Sequence, residues 1–197
     1  MTTVAMVVEG HGEVAALPIL LRRLNEWRNP DVYVNLSHPI RVRRDRFLNR
    51  NEEFRRILLL AAAKCGENGW ILVLLDADDD CPAEIGRQIL ERARTCIPHR
   101  RVSVVVANKE FEAWFIAAAK SLHGRRGFRF DPDEEGVEAE QPQDAKGWMS
   151  MRMASGKYRE TTDQPAFSAR MDLEQAYENS RSFRKLCREW TNQLTSE

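Results

Sequence analysis

The stretch Trp70–Cys81, WILVLLDADDDC, decides the fold of this chain. Five apolar residues, Ile71 to Leu75, run without a polar break and are followed at once by acids. A short apolar run of this kind, rich in branched side chains, is typical of a strand that is buried on both faces of a parallel sheet. The sequence therefore predicts an inner parallel strand with a group of carboxylates at its carboxyl end.

The acids after this strand are Asp76, Asp78, Asp79 and Asp80. Ligands of open α/β sheets bind at the carboxyl ends of the strands, and carboxylates at alternating positions are hard oxygen donors that suit Mg2+ or Mn2+. Like charges this close repel one another unless a cation or protons intervene. We therefore predict that Asp76, Asp78 and Asp80 are metal ligands. The alternative is a loop in which an aspartate such as Asp80 only caps the helix that starts near Pro82.

A second buried-strand pattern lies at Val4–Val8 and ends in Glu9-Gly10-His11-Gly12-Glu13. Apolar residues then recur every three or four positions, so strand, glycine-containing turn and helix open a βαβ unit. If the two strands are neighbours, Glu9 faces the aspartates across one crevice, and we expect it to be a metal ligand or the general base. His11 is a further candidate acid or base, although a lone histidine in a turn is more often a hydrogen-bonding residue.

Strands and helices alternate through the rest of the first half. The pattern predicts strands at 31–38 and 102–107 and helices at 52–64, 82–94 and 108–122. This order indicates an α/β fold with a mostly parallel sheet of about four strands, covered by helices on both faces. Glu110 and Glu112 lie near the start of the last of these helices. They are auxiliary candidates for the crevice, or ordinary acids of a first helical turn.

Changes in pattern divide the chain into three regions of one domain. They are a catalytic α/β core at 1–122, an irregular charged surface insertion at 123–147 and a C-terminal helical extension at 148–197 packed on the core. In the extension, helical patterns cover about 167–177 and 182–194, and Ser180 is placed to cap the last helix. Lys157 and the pair Asp163-Gln164 either line the crevice or make buried hydrogen bonds.

The segment after the second predicted strand is the most basic in the chain, with seven arginines against three acids between residues 41 and 56. Guanidinium groups bind phosphates well. The candidates for nucleic-acid contact are Arg41, Arg43, Arg44, Arg46 and Arg50. The alternative is a solvated helix face whose charges pair with one another.

Length and composition narrow the class of protein. The 197 residues suffice for one domain with a full core, and no apolar run approaches the roughly 20 residues that span a bilayer. The four cysteines lack paired spacing and the start lacks the features of a signal peptide, which favours a cytoplasmic protein without structural zinc. Net charge is zero, so only local patches argue for a nucleic-acid partner. A homo-oligomer is left open.

Two resemblances rest on these motifs. Glu9 after a first strand, Asp76-x-Asp78-x-Asp80 after a later one and the βα alternation between them resemble the Toprim catalytic domain of topoisomerases, primases and related nucleases. Four segments are also similar to the DUF4276 family of small bacterial proteins, and together they span nearly the whole chain. They are VVEGHGEVAALPILLRRL, LLDADDDCP, NKEFEAWFIA and KYRETTDQPAFSARMDLEQAYENSRSFRKL.

The resemblance implies a Toprim-like, Rossmann-like fold in which Glu9, Asp76 and Asp78 hold Mg2+ or Mn2+. Asp80 would lie nearby or hold a second ion. It also implies a nuclease of DNA or RNA in bacterial defence against phage or mobile elements. Toprim enzymes that form a covalent DNA intermediate take the nucleophilic tyrosine from another domain. We expect no such second domain here, and the tyrosines of this sequence are Tyr33, Tyr158 and Tyr177. Hydrolysis by water is therefore the simpler expectation.

Three functional classes remain open. The first is the Mg2+-dependent nuclease, and the second is a metal-dependent hydrolase of a small phosphorylated metabolite, which suits the neutral net charge. The third is a regulated, non-autonomous subunit that works with an AAA-type ATPase, since the chain has no P-loop of its own. Lys109 follows the fourth predicted strand. A phosphoacceptor receiver domain also has acids after earlier strands and a lysine after a later one, so this fold is an alternative. A receiver, however, has no use for three alternating aspartates or so long a tail.

Overall fold

The sheet is parallel throughout the described residues, which are 2–134 and 137–195 of the computed structural model. Its strands are β1 (Thr2–Val8), β2 (Val34–Leu36), β3 (Ile40–Arg41), β4 (Trp70–Asp76) and β5 (Arg101–Ala107). The order is β2-β1-β4-β5, and β3 pairs with β1 beyond the end of β2. The predicted parallel α/β sheet is confirmed, and β4 is an inner strand buried along its whole length.

The strand predicted at 31–38 is shorter than expected and is followed by a separate short strand. β2 pairs with the start of β1, whereas β3 pairs with Val7 and Val8 at its end. Pro39 lies between them and has no N–H to donate to a ladder. The sheet therefore has five strands where about four were predicted. The chain after β3 lies beside the carboxyl end of β1.

Helices cover both faces of the sheet. They are α1 (His11–Arg28), α2 (Arg44–Asn49) and α3 (Asn51–Cys65), with α4 (Pro82–Cys96) between β4 and β5. Alternate side chains of β1 enter different buried clusters: Met6 lies with Leu20 of α1, and Val7 lies with Leu58 of α3. Helices predicted at 52–64 and 82–94 are confirmed, each with bounds one or two residues away at one end or both.

The C-terminal half packs on the α1 face. Its helices are α5 (Ala113–Ala117), α6 (Ala119–Leu122), α7 (Ala145–Arg152), α8 (Glu160–Ser168), α9 (Leu173–Asn179) and α10 (Arg181–Thr195). α8 lies along α1, and α10 lies against β5, with the Trp190 ring 5.7 Å from that of Trp70 at the start of β4. These helices share one buried cluster with α1, so the extension is part of the core.

The continuous helix predicted at 108–122 is wrong. Residues 108–112 form a turn instead, in which Lys109 has a φ of 65° and the backbone N–H of Phe111 donates to the side chain of Asp76. Ala118, with φ −115° and ψ 22°, then separates α5 from α6. A bond from a distant strand therefore overrides the local helical pattern.

The helical pattern at 167–177 also proves to be two helices. Asp172 caps α9 by accepting hydrogen bonds from the backbone N–H groups of Glu174 and Gln175, and this cap separates α9 from α8. The predicted cap of the last helix is confirmed, because the Ser180 hydroxyl accepts a 3.0 Å hydrogen bond from the Phe183 N–H.

The predicted insertion at 123–147 contributes to the core. It contains 3-10 turns at Arg125–Gly127 and Pro132–Glu134, and Phe128 between them is buried. The carboxylate of Glu140 accepts hydrogen bonds from Ser180 and Ser182. Residues 135 and 136 of this insertion, and residues 1, 196 and 197 of the flanking regions, lie outside the described residues. None of the described helices has the length and apolar character needed to cross a membrane.

Candidate active site

Glu9 and Asp76 leave neighbouring strands at the same edge of the sheet. β1 pairs with β4 so that Val7 lies opposite Val73. Glu9 follows Val7, and Asp76 follows Val73, within a few residues. The placement of Glu9 beside the aspartates, expected from the sequence, is confirmed. Glu9 is partly buried, and its enclosed Oε2 atom has no hydrogen-bond partner among the described residues.

The carboxylate of Glu9 lies in an acidic environment. Its pKa is raised to about 7, mainly by burial and next by the negative charges of Glu13 and Asp78. The Arg44 guanidinium and a backbone hydrogen bond from Asp76 lower this pKa by less. A carboxylate with this pKa exchanges protons near neutral pH, as a general base must.

Asp76 is the buried member of the aspartate group. It is 6% exposed, and its Oδ1 accepts a 2.8 Å hydrogen bond from the Phe111 N–H. Burial, together with the charges of Glu13 and Glu112, holds its pKa well above the ordinary value of an aspartate. Asp76 therefore joins the end of β4 to the turn that follows β5.

Arg44 is the counterion of the turn after β4. Its guanidinium donates to the backbone oxygens of Asp76 and Ala77, at 3.1 and 3.3 Å, and to the side chain of Asp80. The carboxylate of Asp78 is 3.7 Å away. Arg44 was expected to contact nucleic acid, whereas here it neutralises the aspartates.

The other members of the turn face solvent. Asp78, Asp79 and Asp80 are all exposed, and Asp79 lies 3.8 Å from the ammonium of Lys109. Asp78 has a φ of 51°, and its backbone N–H donates to the Lys109 oxygen, so the turn is tied to the β5–α5 connection. The side chain of Asp80 makes no capping hydrogen bond to the described residues of α4. The prediction that α4 begins near Pro82 is confirmed.

Glu13 is a member of the site that the sequence did not single out. It is 4% exposed and accepts hydrogen bonds of 3.0 and 3.2 Å from the backbone N–H groups of Glu9 and Gly10. Burial raises its pKa. The signal was its place as the third residue of α1, three positions after Gly10, where a glutamate bonds back to the preceding backbone.

Glu112 connects the site to the C-terminal half. It has no exposed surface, and its Oε1 accepts a 2.9 Å hydrogen bond from the Tyr158 hydroxyl and a 3.3 Å bond from Gln164. Its Oε2 atom is buried and accepts no hydrogen bond from the part of the chain that the structure describes. Burial raises the pKa of Glu112 to about 8, and burial beside this carboxylate raises the pKa of Tyr158.

Lys146 is the second residue that the sequence did not reveal. Its ammonium lies 3.3 Å from Glu110 and 3.6 Å from Glu160, and its side chain is 34% exposed. Burial lowers the pKa of Lys146, but the carboxylates of Glu112, Asp76, Glu110 and Glu160 raise it above its ordinary value. Lys146 falls inside the irregular segment 123–147, so no pattern in the sequence indicated it.

Four other residues that the sequence singled out are placed as follows. His11 is exposed at the start of α1, and Lys157 is exposed, so neither lies inside the buried part of the site. Asp163 and Gln164 are buried. Asp163 accepts hydrogen bonds from the Arg126 side chain and the Arg159 N–H, as the buried-hydrogen-bond alternative requires.

The basic segment does reach the edge at which Glu9 lies. Arg41, the last residue of β3, lies opposite Val8, and the Val42 N–H donates a 2.8 Å hydrogen bond to the Val8 oxygen. Because the two segments run parallel, Arg43 comes beside Glu9. Arg41, Arg43 and Arg50 are exposed and Arg46 is partly exposed. Unlike Arg44, these four make no ion pair with another described residue.

The donor chemistry of the site fits a divalent cation, although no complete metal site is preformed. Glu9 Oε2 is a buried carboxylate oxygen without a partner, and Asp78 offers an exposed carboxylate at the same edge. Within residues 2–134 and 137–195, however, no group of three or more His, Cys, Asp or Glu side chains is arranged to hold a metal ion. Arg44 provides positive charge there instead.

A comparison with protein families matches residues 8–190 to a family described as a domain of unknown function (DUF4276). No curated protein and no solved structure shows significant similarity to the chain.

Proposed function

Because the chain belongs to the DUF4276 family, whose description assigns no activity, we propose a function from the site itself: a Mg2+- or Mn2+-dependent phosphodiester hydrolase of DNA or RNA. The observation that carries this proposal is the partnerless, buried oxygen of Glu9 at the sheet edge that Asp76 and Asp78 share. A buried carboxylate oxygen without a hydrogen-bond partner lowers the stability of the folded chain. Such an unfavourable arrangement is explained where a ligand bonds to that oxygen and completes the site.

Glu9, Asp76 and Asp78 would hold the cation, and Asp80 would join them once Arg44 withdraws. When bound, the cation would bridge phosphate oxygens and neutralise the charge that develops during phosphoryl transfer. If Glu9 does not ligate the cation, it is instead the general base that takes a proton from the attacking water, and its pKa of about 7 suits that role. Tyr158 is buried against Glu112, so it offers no nucleophile to a substrate.

The exposed arginines beside the site support a polynucleotide over a small metabolite. Arg41 and Arg43 follow the strand that pairs with the end of β1, so they lie along the edge from which Glu9 projects. A small phosphate ester needs few such contacts, whereas a backbone that crosses the edge meets several.

One observation favours a second candidate, a non-autonomous subunit that is activated by a partner such as an AAA-type ATPase. Arg44 bonds to Asp80 and lies near Asp78, so two of the expected ligands are engaged within the chain. A partner that moved α2 would release them.

The test is incubation of the protein with Mg2+ or Mn2+ and a panel of plasmid, single-stranded DNA, tRNA and nucleotides. Asp76→Asn is the control, because its side-chain oxygen still accepts the Phe111 hydrogen bond while the charge is removed. Cleavage of a polynucleotide that is lost in the control supports the proposal. Activity on small phosphate esters alone rejects it in favour of the metabolite hydrolase, and complete inactivity favours the partner-dependent subunit.

A further inference from the structure

A short extended segment at residues 157–159, between α7 and α8, places two cations at the surface. Tyr158 is buried and its hydroxyl bonds to Glu112, whereas Lys157 and Arg159 on either side of it are exposed. This alternation is that of an extended chain, whose successive side chains point in opposite directions, and Arg159 has the matching φ of −124° and ψ of 106°. The side chains of Lys157 and Arg159 form no ion pair with other described residues.

This segment lies against the turn that follows Glu9. A Cβ atom on Gly12, three residues after Glu9, would lie 2.7 Å from the backbone oxygen of Glu160, the residue after Arg159. The carboxylate of Glu160 lies 3.6 Å from the ammonium of Lys146, so this acid is paired within the chain. Arg159 is therefore held beside the part of the chain that carries Glu9.

A third cation, Arg126, is fixed beside Arg159. Its Nε atom donates a hydrogen bond to the carboxylate of Asp163, which is buried and also accepts the Arg159 backbone N–H at 2.8 Å. Arg126 has a φ of 49°, which is uncommon for a residue other than glycine. Its side chain is nevertheless 47% exposed. Arg126, Lys157 and Arg159 thus form one basic surface, the α7–α8 surface.

The strand order places the α7–α8 surface on the opposite side of Glu9 from Arg41 and Arg43. β3 pairs with one edge of β1, and β4 pairs with its other edge and is followed by β5. Tyr158 bonds to Glu112, which belongs to the connection after β5. Neighbouring strands lie about 4.8 Å apart, so about 14 Å separates β3 from β5. A small phosphate ester does not reach across this distance, whereas a nucleic-acid strand covers it with about four phosphates, at about 3.4 Å each.

We propose that the α7–α8 surface binds phosphates, and that one single strand of DNA or RNA lies across the carboxyl edge of the sheet, from Arg41 and Arg43, past Glu9, to this surface. The inference rests on the proposed nuclease function and defines its substrate as a strand of at least about four nucleotides. A groove with cations along it follows the backbone of a single strand. Exposed lysine and arginine side chains without an acidic partner are available for phosphate oxygens.

Fluorescence anisotropy tests this path with the full chain, a labelled single-stranded DNA and an RNA of the same sequence. EDTA is present, so that binding is measured without hydrolysis, and the salt concentration is varied. Lys157→Ala with Arg159→Ala should reduce the log-log salt slope by about 1.4, at about 0.7 for each phosphate contact that a single strand loses. Both changes leave the Tyr158 hydroxyl and the Arg159 backbone N–H in place.

The matched control is Arg94→Ala with Arg188→Ala, which removes the same charge from exposed positions of α4 and α10 and should leave the slope almost unaltered. Adding Arg41→Ala and Arg43→Ala to the α7–α8 variant should reduce the slope about twice as much as that variant alone, because one strand contacts both sides. If the α7–α8 variant does not fold, as judged by circular dichroism, Lys157→Gln with Arg159→Gln takes its place.

A slope in the α7–α8 variant equal to that of the wild type would overturn the inference, while cleavage of a polynucleotide would still support the proposed function. An equal reduction in the control, or two short strands bound per chain, would also overturn it. A reduction confined to the α7–α8 and Arg41–Arg43 variants, in a chain that cleaves nothing, would support the path and reject only the hydrolase. Binding of neither nucleic acid to the wild type would overturn both proposals.

Discussion

The Tyr158 hydroxyl donates a 2.9 Å hydrogen bond to the carboxylate of Glu112, and both side chains are buried. Glu112 belongs to the connection after β5, whereas Tyr158 lies between α7 and α8. The bond therefore joins the edge of the sheet to the C-terminal half. The candidate active site is shared by both halves of the chain, since Lys146 and Glu160 also enter it from the C-terminal side.

Tyr158→Phe should lower the free energy of unfolding by about 1–3 kcal/mol, because the buried side chain of Glu112 loses a hydrogen-bond donor while the aromatic ring keeps its packing. Urea denaturation at pH 7 measures the loss. The matched control is Tyr177→Phe, whose ring packs on Trp27 at the surface and whose hydroxyl bonds to none of the described residues. That control should change stability by less than about 0.5 kcal/mol. Equal effects of the two changes would show that the Glu112 bond contributes nothing.

Stability should fall as pH rises from about 5 to 9. The pKa of Glu112 is about 8 in the folded chain, above its ordinary value, so the folded state binds more protons than the unfolded state in this range. Stability attributable to this group is complete below the unfolded pKa and is lost as pH passes the folded one. Glu112→Gln should flatten the fall in melting temperature without abolishing it, since Glu9, with a pKa of about 7, acts in the same direction. An unchanged slope in Glu112→Gln would contradict this assignment.

The sequence predicted the sheet edge well because its signals are local. An apolar run that ends in acids shows at once that Asp76 lies at the end of a buried strand, and the same holds for Glu9 after β1. The pairing of β1 with β4 then brings these acids together.

The remainder of the site depends on contacts that are distant in the chain. Lys146 meets Glu110 across 36 positions, and Tyr158 meets Glu112 across 46. The hydrophobic pattern of one segment does not indicate which distant segment it contacts. The helix predicted at 108–122 is wrong for the same reason, because the backbone N–H of Phe111 bonds to Asp76, 35 positions earlier in the chain.

Gly12→Ala should destabilise the chain by about 1–3 kcal/mol, because the added methyl group has no space where α8 packs on α1. A Cβ atom there would lie 2.7 Å from the backbone oxygen of Glu160 and closer still to the Gln164 side chain. Gly86→Ala is the control. Its Cβ would meet nothing nearer than a Val106 methyl group at 3.8 Å, so it should stabilise α4 by about 0.4–1 kcal/mol. Thermal unfolding distinguishes the two, and a neutral Gly12→Ala would mean that α8 shifts freely.

Mg2+ should raise the melting temperature of the wild type, since a ligand that binds only the folded state stabilises it. Asp78→Asn should abolish most of this shift at no cost in stability, because asparagine tolerates the φ of 51° at this position. Asp79→Asn is the matched control. Its carboxylate is almost fully exposed and, among the described residues, approaches only the Lys109 ammonium, so the shift should persist. Equal shifts in the wild type and in both variants would show that the aspartates bind no metal.

The affinity for single-stranded DNA should fall steeply with salt if the exposed arginines track its backbone, with a log-log slope of about 0.7 per phosphate contacted. Arg41→Ala with Arg43→Ala should therefore reduce the slope by between one and two, because both residues lie at the edge beside Val8. The control removes Arg22 and Arg94, exposed arginines on the latter halves of α1 and α4, where these helices run back toward the amino edge of the sheet. It changes the total charge equally and should leave the slope almost unaltered. Fluorescence anisotropy at a series of salt concentrations gives these slopes. Equal reductions in the two double variants would mean that only the overall charge of the chain matters, and the arginines after β3 would then have no special part in binding.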